Sequence, residues 1–372
     1  MKKDAHYFAV LAFARATGFK KETAQTIAFA SQFVDDAKIN FIELKNENLY
    51  NFQHDIINEK QSLYGMSTCH SYFRIKTLNY SSMINNTCAF HFVSGCNGKN
   101  FIRKLRCKEE SPIIVKIMEE ALKENDLVKF GLVLHPYADT FSHQGFSGLL
   151  SKVNDVKYVK AHTDVYDVLS DKIASIGKKI SPAKFDEIFD KLMPTYGHGQ
   201  VLEYPDLPYL EWSYRYEFTD EHTLTYKFSK PIDNKKRFVR AFQNIKLFLE
   251  KFLARYPEFK ENNMNFNNFD LLYNILVQEK SDKNRIINWR KKMIKYNLFK
   301  KGDKELYYDK NLWLKIAFKN FDNKKFNNRK IKSIDINTEF SNSNWYKFYK
   351  AVIWYKEKFF KYSKEQGLNI YN

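Results

Sequence analysis

Three metal-binding side chains recur at equal spacing in the run from His135 to Gly148, because His135, Asp139 and His143 are each four positions apart. On an α-helix, four residues advance about 6 Å along the axis and roughly 400° around it, so the three side chains share one stripe. Imidazole and carboxylate groups are common zinc ligands, with bonds of about 2 Å. The two histidines lie about 12 Å apart, too far for one ion to take both easily. The two oxygens of Asp139 therefore suggest a carboxylate shared by two neighbouring ions.

Two other interpretations of this stripe are an exposed polar face and a hydrogen-bonded patch in the core. The flanking sequence argues against exposure, because residues 128–134 are largely apolar and Phe141, Phe146 and Leu149 follow. Burying three titratable groups without a partner is costly, and a metal ion supplies that partner. Pro136 leaves two possibilities open: it either kinks the interior of the helix or marks its first turn.

A second set of candidate ligands lies at the end of a predicted helix over residues 20–36, which closes on Asp35 and Asp36. Acidic side chains at a helix C-terminus oppose the helix dipole and are destabilising unless a cation compensates them. A metal ion would do so, and so would a nearby Arg or Lys. Asp35 or Asp36 is therefore a candidate ligand.

A turn-rich segment places His198 between Gly197 and Gly199, shortly before Pro205-Asp206-Leu-Pro-Tyr. Glycine lets the backbone approach a ligand closely, which favours His198 as a metal ligand. The alternative is an ordinary loop in which Asp206 is a capping residue.

Residues 40–110 contain short aromatic and β-branched runs, such as Thr87–Val93, that predict a strand or an extended loop. A lone histidine is usually a surface group or a hydrogen-bonded one. On chemistry alone we therefore interpret the three histidines of this region as surface or hydrogen-bonded groups: His54, His70 and His91.

Glycine and proline are scarce, at 12 and 8 residues, and aromatic residues make up 17% of the 372-residue chain, which favours a helix-rich protein. Apolar spacing predicts helices over 4–18, ending near Gly18, and over 20–36, 111–125, the motif, 155–175 and 182–192. Further helices are predicted over 235–256, 267–280, 283–298, 309–320 and 343–366. The predicted fold is an all-α multi-helix bundle with a small irregular or β segment around 40–110. Residues 1–229 form its metal-binding core, and residues 230–372 form a basic, aromatic-rich region packed on that core.

The charge is unevenly distributed, because acidic and basic residues balance up to residue 229 and the whole formal charge of +18 falls in residues 230–372. A basic field attracts polyanions such as nucleic acid or anionic membrane. The alternative is that the charge reflects a biased amino-acid composition and has no binding function. No apolar run is long enough to cross a bilayer. We find no signal peptide, and the four cysteines form no CxxC pair, so we expect reduced thiols and a cytoplasmic protein, with unconventional export left open.

The motifs His135-Pro-Tyr-Ala-Asp-Thr-Phe-Ser-His143-Gln-Gly-Phe-Ser-Gly, Gly197-His-Gly and Pro205-Asp-Leu-Pro-Tyr resemble those of an uncharacterised bacterial family, classed as a domain of unknown function, from His6 through at least Tyr216. More remotely, the chain is similar to the zinc-dependent phospholipase C and single-strand nuclease superfamily. Members of that superfamily are all-α and bind three zinc ions. The resemblance implies these ligands: His6, Asp35 or Asp36, His70, His135, Asp139, His143 and His198.

The chain differs from the superfamily pattern in three ways. Secreted members use the mature N-terminal residue as a ligand, whereas this chain shows no signal peptide. The step from Asp139 to the next histidine is shorter than usual. The late histidine normally has an acidic residue four positions on, where this chain has Leu202. Two substitutes stay open: Glu203 or Asp206 could replace the missing acid, or His162 with Asp164 could replace both the late histidine and its acid. The number of ions, two or three, is equally open.

These residues predict a metal-dependent phosphodiester hydrolase that resembles either a phospholipase C or a nuclease and acts on phospholipid or nucleic acid. Zinc is the expected metal, with another divalent ion as the alternative. The catalytic candidates are Asp35, Asp36 and Asp139, of which Asp35 or Asp36 would orient a water molecule. The sequence has no Gly-rich phosphate loop, GxSxG elbow or Cys/His nucleophile pattern. The alternative is a non-catalytic, metal-stabilised helical module that attaches to polyanions.

Overall fold

Eleven α-helices and seven strands form the described part of the chain, which in this computed structural model comprises residues 1–45, 51–69, 79–98, 101–164, 195–216, 227–322 and 333–370. The helices are α1 (Val10–Thr17), α2 (Lys21–Asp36), α3 (Tyr80–Ser82), α4 (Phe101–Leu105), α5 (Pro112–Ala121), α6 (Leu127–Ser142), α7 (Asn234–Arg255), α8 (Asp270–Leu276), α9 (Asp282–Lys295), α10 (Leu312–Ala317) and α11 (Asn344–Glu365). Two π-helices adjoin them, Asp4–Ala9 before α1 and Met83–Cys88 after α3. Short 3₁₀ turns span Lys152–Asn154, Gly199–Val201, Tyr204–Asp206, Pro257–Phe259, Lys304–Leu306 and Phe340–Asn342.

The predicted all-α fold is wrong, because two antiparallel sheets accompany the helices. The first sheet has the order β1-β3-β2, and the second joins β4, β5 and β6, with β7 also paired to β5. The strands are β1 (Phe41–Glu43), β2 (Asp55–Ile57), β3 (Lys60–Tyr64), β4 (Val156–Ala161), β5 (Glu211–Tyr216), β6 (Lys227–Phe228) and β7 (Ile232–Asp233). The protein is therefore a mixed α and β structure.

The predicted helix over 155–175 is also wrong in its first part, where β4 pairs with β5. Two valines and a tyrosine lie among the six residues of β4, and β-branched and aromatic side chains favour a strand. Residues 165–194 lie outside the described residues, and so does the helix predicted over 182–192. The strand or extended loop predicted over Thr87–Val93 is helical as far as Phe90 and is not helical from His91 to Val93. The helices predicted in residues 230–372 are confirmed as α7 to α11.

The motif helix α6 is the central element of the fold. Its N-terminus is capped by Asp126, whose Oδ1 accepts hydrogen bonds from the backbone N–H groups of Val128 and Lys129. Pro136 lies inside the helix, so the alternative of a first-turn proline is wrong. All side chains from Phe130 to Ser142 are buried, which removes the polar stripe from solvent.

Helix α2 packs against one side of α6, while α7 and α11, from the basic C-terminal region, pack against α6 as well. One hydrophobic cluster joins residues of both regions, including Phe130 of α6, Phe252 of α7 and Tyr355 of α11. The ring centroids of Phe130 and Phe252 lie 4.4 Å apart. The C-terminal region therefore contributes to the core that holds the motif helix in place.

Gly131 allows the close approach of α2 and α6. A Cβ atom at this position would lie 2.9 Å from the Cβ of Ala30 and would meet the carbonyl oxygen of Ile27 at still shorter range. The contact at Ile27 involves backbone, which cannot move aside without shifting α2.

We expect Gly131→Ala to destabilise the protein by about 1–3 kcal/mol, the usual cost of overpacking a core. On an exposed helix the same change would stabilise by about 1 kcal/mol, because alanine is the better helix former. Urea unfolding followed by circular dichroism measures the difference. A stabilised variant would contradict the close packing of these two helices.

None of the helices in the described ranges combines the length and the apolar composition needed to cross a membrane.

Candidate metal centre

Asp139 lies at the centre of a buried polar cluster, and each of its carboxylate oxygens faces a different set of groups. Oδ1 lies 2.7 Å from the amino nitrogen of Met1 and 3.1 Å from Nε2 of His6. Oδ2 lies 3.3 Å from Nδ1 of His91 and 3.3 Å from Nε2 of His135. The side chain of Asp139 is 2% exposed. The carboxylate is therefore positioned to bridge two neighbouring sites.

Asp206 forms a second acidic position beside the first. Its Oδ1 lies 3.0 Å from Nε2 of His143, and its Oδ2 lies 3.4 Å from Nε2 of His198. The amino nitrogen of Met1 lies 2.8 Å from Oδ1 of Asp206. Since this nitrogen also contacts Asp139, it links the two carboxylates into one cluster.

Asp35 completes the cluster at the end of α2, where its Oδ1 lies 3.7 Å from Nε2 of His135 and 3.8 Å from Nδ1 of His91. Three groups of ligand atoms result among the described residues, and the atoms within each group lie within 4.8 Å of one another. The groups are His6 with Asp35 and His135, His91 with His135 and Asp139, and His143 with His198 and Asp206. Because His135 belongs to two groups, at least two of these positions are adjacent.

Backbone carbonyl groups orient four of the five imidazoles. A carbonyl oxygen only accepts hydrogen bonds, so the ring nitrogen facing it carries the hydrogen and the other nitrogen of a neutral ring presents a lone pair. This arrangement is typical of histidines that bind metals. The pairs are Nδ1 of His135 with Ser31 (2.9 Å), Nε2 of His91 with Thr68 (3.0 Å), Nδ1 of His143 with His91 (2.7 Å) and Nδ1 of His198 with Leu202 (2.6 Å).

The lone pairs that result point at one another. Nε2 of His135 and Nδ1 of His91 are 3.2 Å apart, and both face Oδ2 of Asp139. Burial lowers the pKa of His135 to about 4, so its ring is neutral at pH 7. Electron-rich atoms in this arrangement repel one another unless a cation lies among them. The donor set therefore fits a metal ion.

His6 supports the same conclusion. Its ring stacks on that of His135 with centroids 3.8 Å apart, and its Nδ1 is buried without a hydrogen-bond partner. Burial lowers the pKa of His6 to about 4 and that of His198 likewise to about 4. Neutral imidazoles with a free nitrogen are the form that binds divalent metals.

The two central carboxylates stay ionised in the interior. Burial opposes their charge, but the amino group of Met1 and the surrounding histidines outweigh it and hold the pKa values of Asp139 and Asp206 well below the usual range. In turn, the two carboxylates overcome the burial of the Met1 amino group and raise its pKa to about 11. Within the described residues, the Met1 ammonium is thus the positive charge that these two carboxylates share.

Asp35 and Asp36, adjacent in sequence, have different surroundings. Asp36 accepts hydrogen bonds from the hydroxyl of Tyr308 at 2.9 Å and from Nε2 of Gln32 at 3.3 Å, and it belongs to none of the three ligand groups. Burial raises the pKa of Asp35. In the described ranges, no Lys or Arg forms a salt bridge with either carboxylate, so the C-terminus of α2 carries two acidic groups without a basic partner. A metal ion at Asp35 would supply the missing charge.

A model of a family of unknown function, DUF6765, matches residues 1–363. The chain belongs to this family. No curated protein and no solved structure matches the chain. Membership confirms the expected resemblance to an uncharacterised family, and the match extends well beyond Tyr216 into the basic C-terminal region.

The structure of this DUF6765 chain brings most of the predicted ligands together: His6, Asp35, His135, Asp139, His143, His198 and Asp206. Glu203 instead forms an ion pair with Lys2 at 2.8 Å, so Asp206 is the acid that accompanies His198. His162 is exposed and contacts the hydroxyl of Ser213 at the second sheet, and neither it nor Asp164 joins a ligand group. His70 lies outside the described residues.

Sequence analysis missed two groups at the centre. His91 was interpreted as a surface or hydrogen-bonded histidine, although its neighbours Phe90, Phe92 and Val93 are as apolar as those of the motif helix. That flanking pattern was the available signal. The amino group of Met1 has no signal in residue types, since every chain carries one at its first residue.

Proposed function

We propose that this DUF6765 protein is a metal-dependent phosphodiester hydrolase that holds two or three divalent cations, zinc first among them. The observation that carries the proposal is the position of Asp139, whose Oδ1 faces Nε2 of His6 at 3.1 Å and whose Oδ2 faces ring nitrogens of His91 and His135 at 3.3 Å. Histidine and carboxylate ligands in this mixture are typical of zinc sites.

The reaction class follows from what adjacent cations do. Cations about 3.5–4 Å apart lower the pKa of a water molecule and neutralise the oxygens of a phosphoryl group. The chain adds positive charge nearby, because Arg237 of the basic region donates a hydrogen bond to the carbonyl of Ser142 at the end of the motif helix. An anionic substrate is therefore favoured over a neutral one.

The exposure of the ligands indicates where a substrate would enter. The side chain of Asp35 is 31% exposed and that of Asp206 is 14% exposed, whereas the histidines of the cluster are at most 4% exposed. A structural zinc site is closed by protein ligands, but a catalytic site keeps an open position. Asp35 thus lies at the open edge, where its carboxylate would accept a proton from an attacking water molecule.

The resemblance to the zinc-dependent phospholipase C and single-strand nuclease superfamily supports the same proposal. The resemblance implies an early histidine, the motif helix and a late histidine with an acid, and His6, α6 and His198 with Asp206 occupy one cluster.

A second candidate is a non-catalytic, metal-stabilised module that binds polyanions. The deep burial of the five histidines favours it, because most of the shell is closed to solvent. The two candidates differ in turnover, not in metal binding.

Hydrolysis of three phosphodiesters tests the proposal: bis(p-nitrophenyl) phosphate, a single-stranded oligonucleotide and phosphatidylcholine in mixed micelles. We expect zinc-dependent hydrolysis of at least one, and a loss on the order of 10²-fold in kcat for Asp35→Asn, the usual contribution of a general base. Asp36→Asn is the matched control, and its kcat should stay within about threefold of wild type, since Asp36 lies outside the ligand groups. Metal binding without turnover of any of the three substrates would favour the non-catalytic module.

A further inference from the structure

A cavity of about 600 Å³ adjoins α11 and shares no lining residue with the metal cluster. Its volume is in the range of pockets that hold small molecules. Seven of its lining side chains carry amide or hydroxyl groups that both donate and accept hydrogen bonds. They are Asn40, Tyr64, Asn79, Ser81, Ser82, Asn85 and Asn86.

Lys356 supplies the positive charge at this cavity. Its Nζ donates a hydrogen bond to the carbonyl of Gly65 at 2.7 Å and lies 5.9 Å from the ring centroid of Phe90. In the described part of the chain, no carboxylate pairs with this ammonium. Burial alone lowers the pKa of Lys356 to about 8. A partly desolvated cation without a counter-ion is costly, and an anionic ligand in the cavity would remove that cost.

Two further features restrict the ligand. The carboxylate of Glu357 also lines the cavity and is exposed, which disfavours a ligand with more than one anionic group. Ile353 and Phe360 add apolar surface to a lining that also contains amides and hydroxyls. Such a lining suits a molecule with a carbon skeleton and several hydroxyl groups.

We propose that this cavity binds a small polyhydroxylated molecule with a single anionic group, a phosphate monoester or a carboxylate, and that Lys356 binds the anion. The amide and hydroxyl side chains then bind the hydroxyl groups of the ligand. This site is separate from the metal cluster and does not depend on the proposed hydrolase activity.

Calorimetric titration of the full chain with glycerol 3-phosphate, gluconate, inorganic phosphate and glycerol tests the site. We expect one of the two organic anions to bind at least tenfold more tightly than inorganic phosphate and glycerol. Lys356→Met keeps an unbranched apolar side chain and should weaken that binding at least tenfold, because it removes the ammonium group that binds the anion. Lys361→Met is the matched control on the same helix; Lys361 is exposed beside Tyr362, and its loss should leave binding unchanged.

Phosphate can also bind to metal ions, so the titration is repeated on Asp139→Asn, in which binding at the cavity should persist. Binding lost in Asp139→Asn but kept in Lys356→Met would overturn the proposal, and so would the failure of both organic anions to bind. Equal affinity for inorganic phosphate and the organic anions would contradict the inference that the ligand carries several hydroxyl groups.

A measurement on the wild-type chain avoids any concern about folding of the variant. Acetic anhydride at pH 8 acetylates Lys356 and Lys361, and mass spectrometry of the peptides gives both rates. The organic anion that binds should slow acetylation of Lys356 at least threefold relative to Lys361. Unchanged relative rates at saturating ligand would contradict a contact between the anion and Lys356.

Discussion

Asp139→Ala is expected to abolish the part of the stability that depends on metal. A chelator should lower the free energy of unfolding of the wild-type protein by about 4 kcal/mol, the stabilisation from one cation present at roughly a thousand times its dissociation constant. The same chelator should change the variant by less than about 1 kcal/mol, because Asp139 contacts the groups of two adjacent sites. Urea unfolding with and without chelator measures both values.

Asp126→Ala is the matched control, since it removes a carboxylate from the same helix. Asp126 caps α6 and contacts no residue of the cluster, so its loss should cost about 1 kcal/mol and leave the effect of the chelator intact. An equal effect of chelator on Asp139→Ala and on wild type would contradict a metal site at Asp139.

Arg285→Met is expected to destabilise the protein by about 3–5 kcal/mol, the cost of leaving a buried charge without its partner. Arg285 is fully buried in α9, and its Nε donates to Oδ2 of Asp4 at 2.6 Å. Its guanidinium also binds Asp282 and the carbonyl of Lys280. The variant leaves the carboxylate of Asp4, which is 2% exposed, in the interior without that guanidinium.

The same variant should weaken metal binding, because Asp4 and His6 share the π-helix that carries the N-terminal part of the cluster. Arg290→Met is the matched control, as Arg290 lies on the same helix over the ring of Tyr307 and away from Asp4. Pairing Arg285→Met with Asp4→Asn should recover part of the lost stability, because no buried carboxylate then remains. Urea unfolding of wild type, Arg285→Met, Asp4→Asn and the double variant measures this coupling. Strictly additive changes in the free energy of unfolding would contradict it.

The motif helix and the shared face of its candidate ligands could be predicted from sequence because their signals are local. A four-residue spacing fixes a shared helical face, and apolar neighbours place that face in the core. The glycines around His198 made it a candidate ligand, and the structure places it beside His143 and Asp206. Gly197 has a φ of 54°, a conformation that favours glycine.

The choice between Asp35 and Asp36 could not be made from sequence. The two residues are adjacent, so a rotation of about 100° around α2 decides which one faces the histidines. Tertiary contacts made that choice, because Tyr308 from the C-terminal region binds Asp36. The pairing of His198 with Asp206 instead of Glu203 depends in the same way on Lys2, which binds Glu203.

The second sheet was missed for a related reason, whereas the first lies within residues 40–110, where a small irregular or β segment was predicted. Strand β4 has only six residues, and its partner β5 lies about fifty residues later in the chain. Short strands are stabilised by such distant pairing more than by their own propensity. A helical pattern was therefore assigned to a segment that forms a strand by pairing with β5.

The metal content of the purified wild-type protein, determined by mass spectrometry of the elements after dialysis, tests the metal centre most directly. We predict about two or three divalent cations per chain, mainly zinc, since Asp139 lies among ligand atoms for adjacent ions. A total well below about one ion per chain, after purification without chelator and with zinc supplied, would contradict the metal centre and with it the proposed hydrolase.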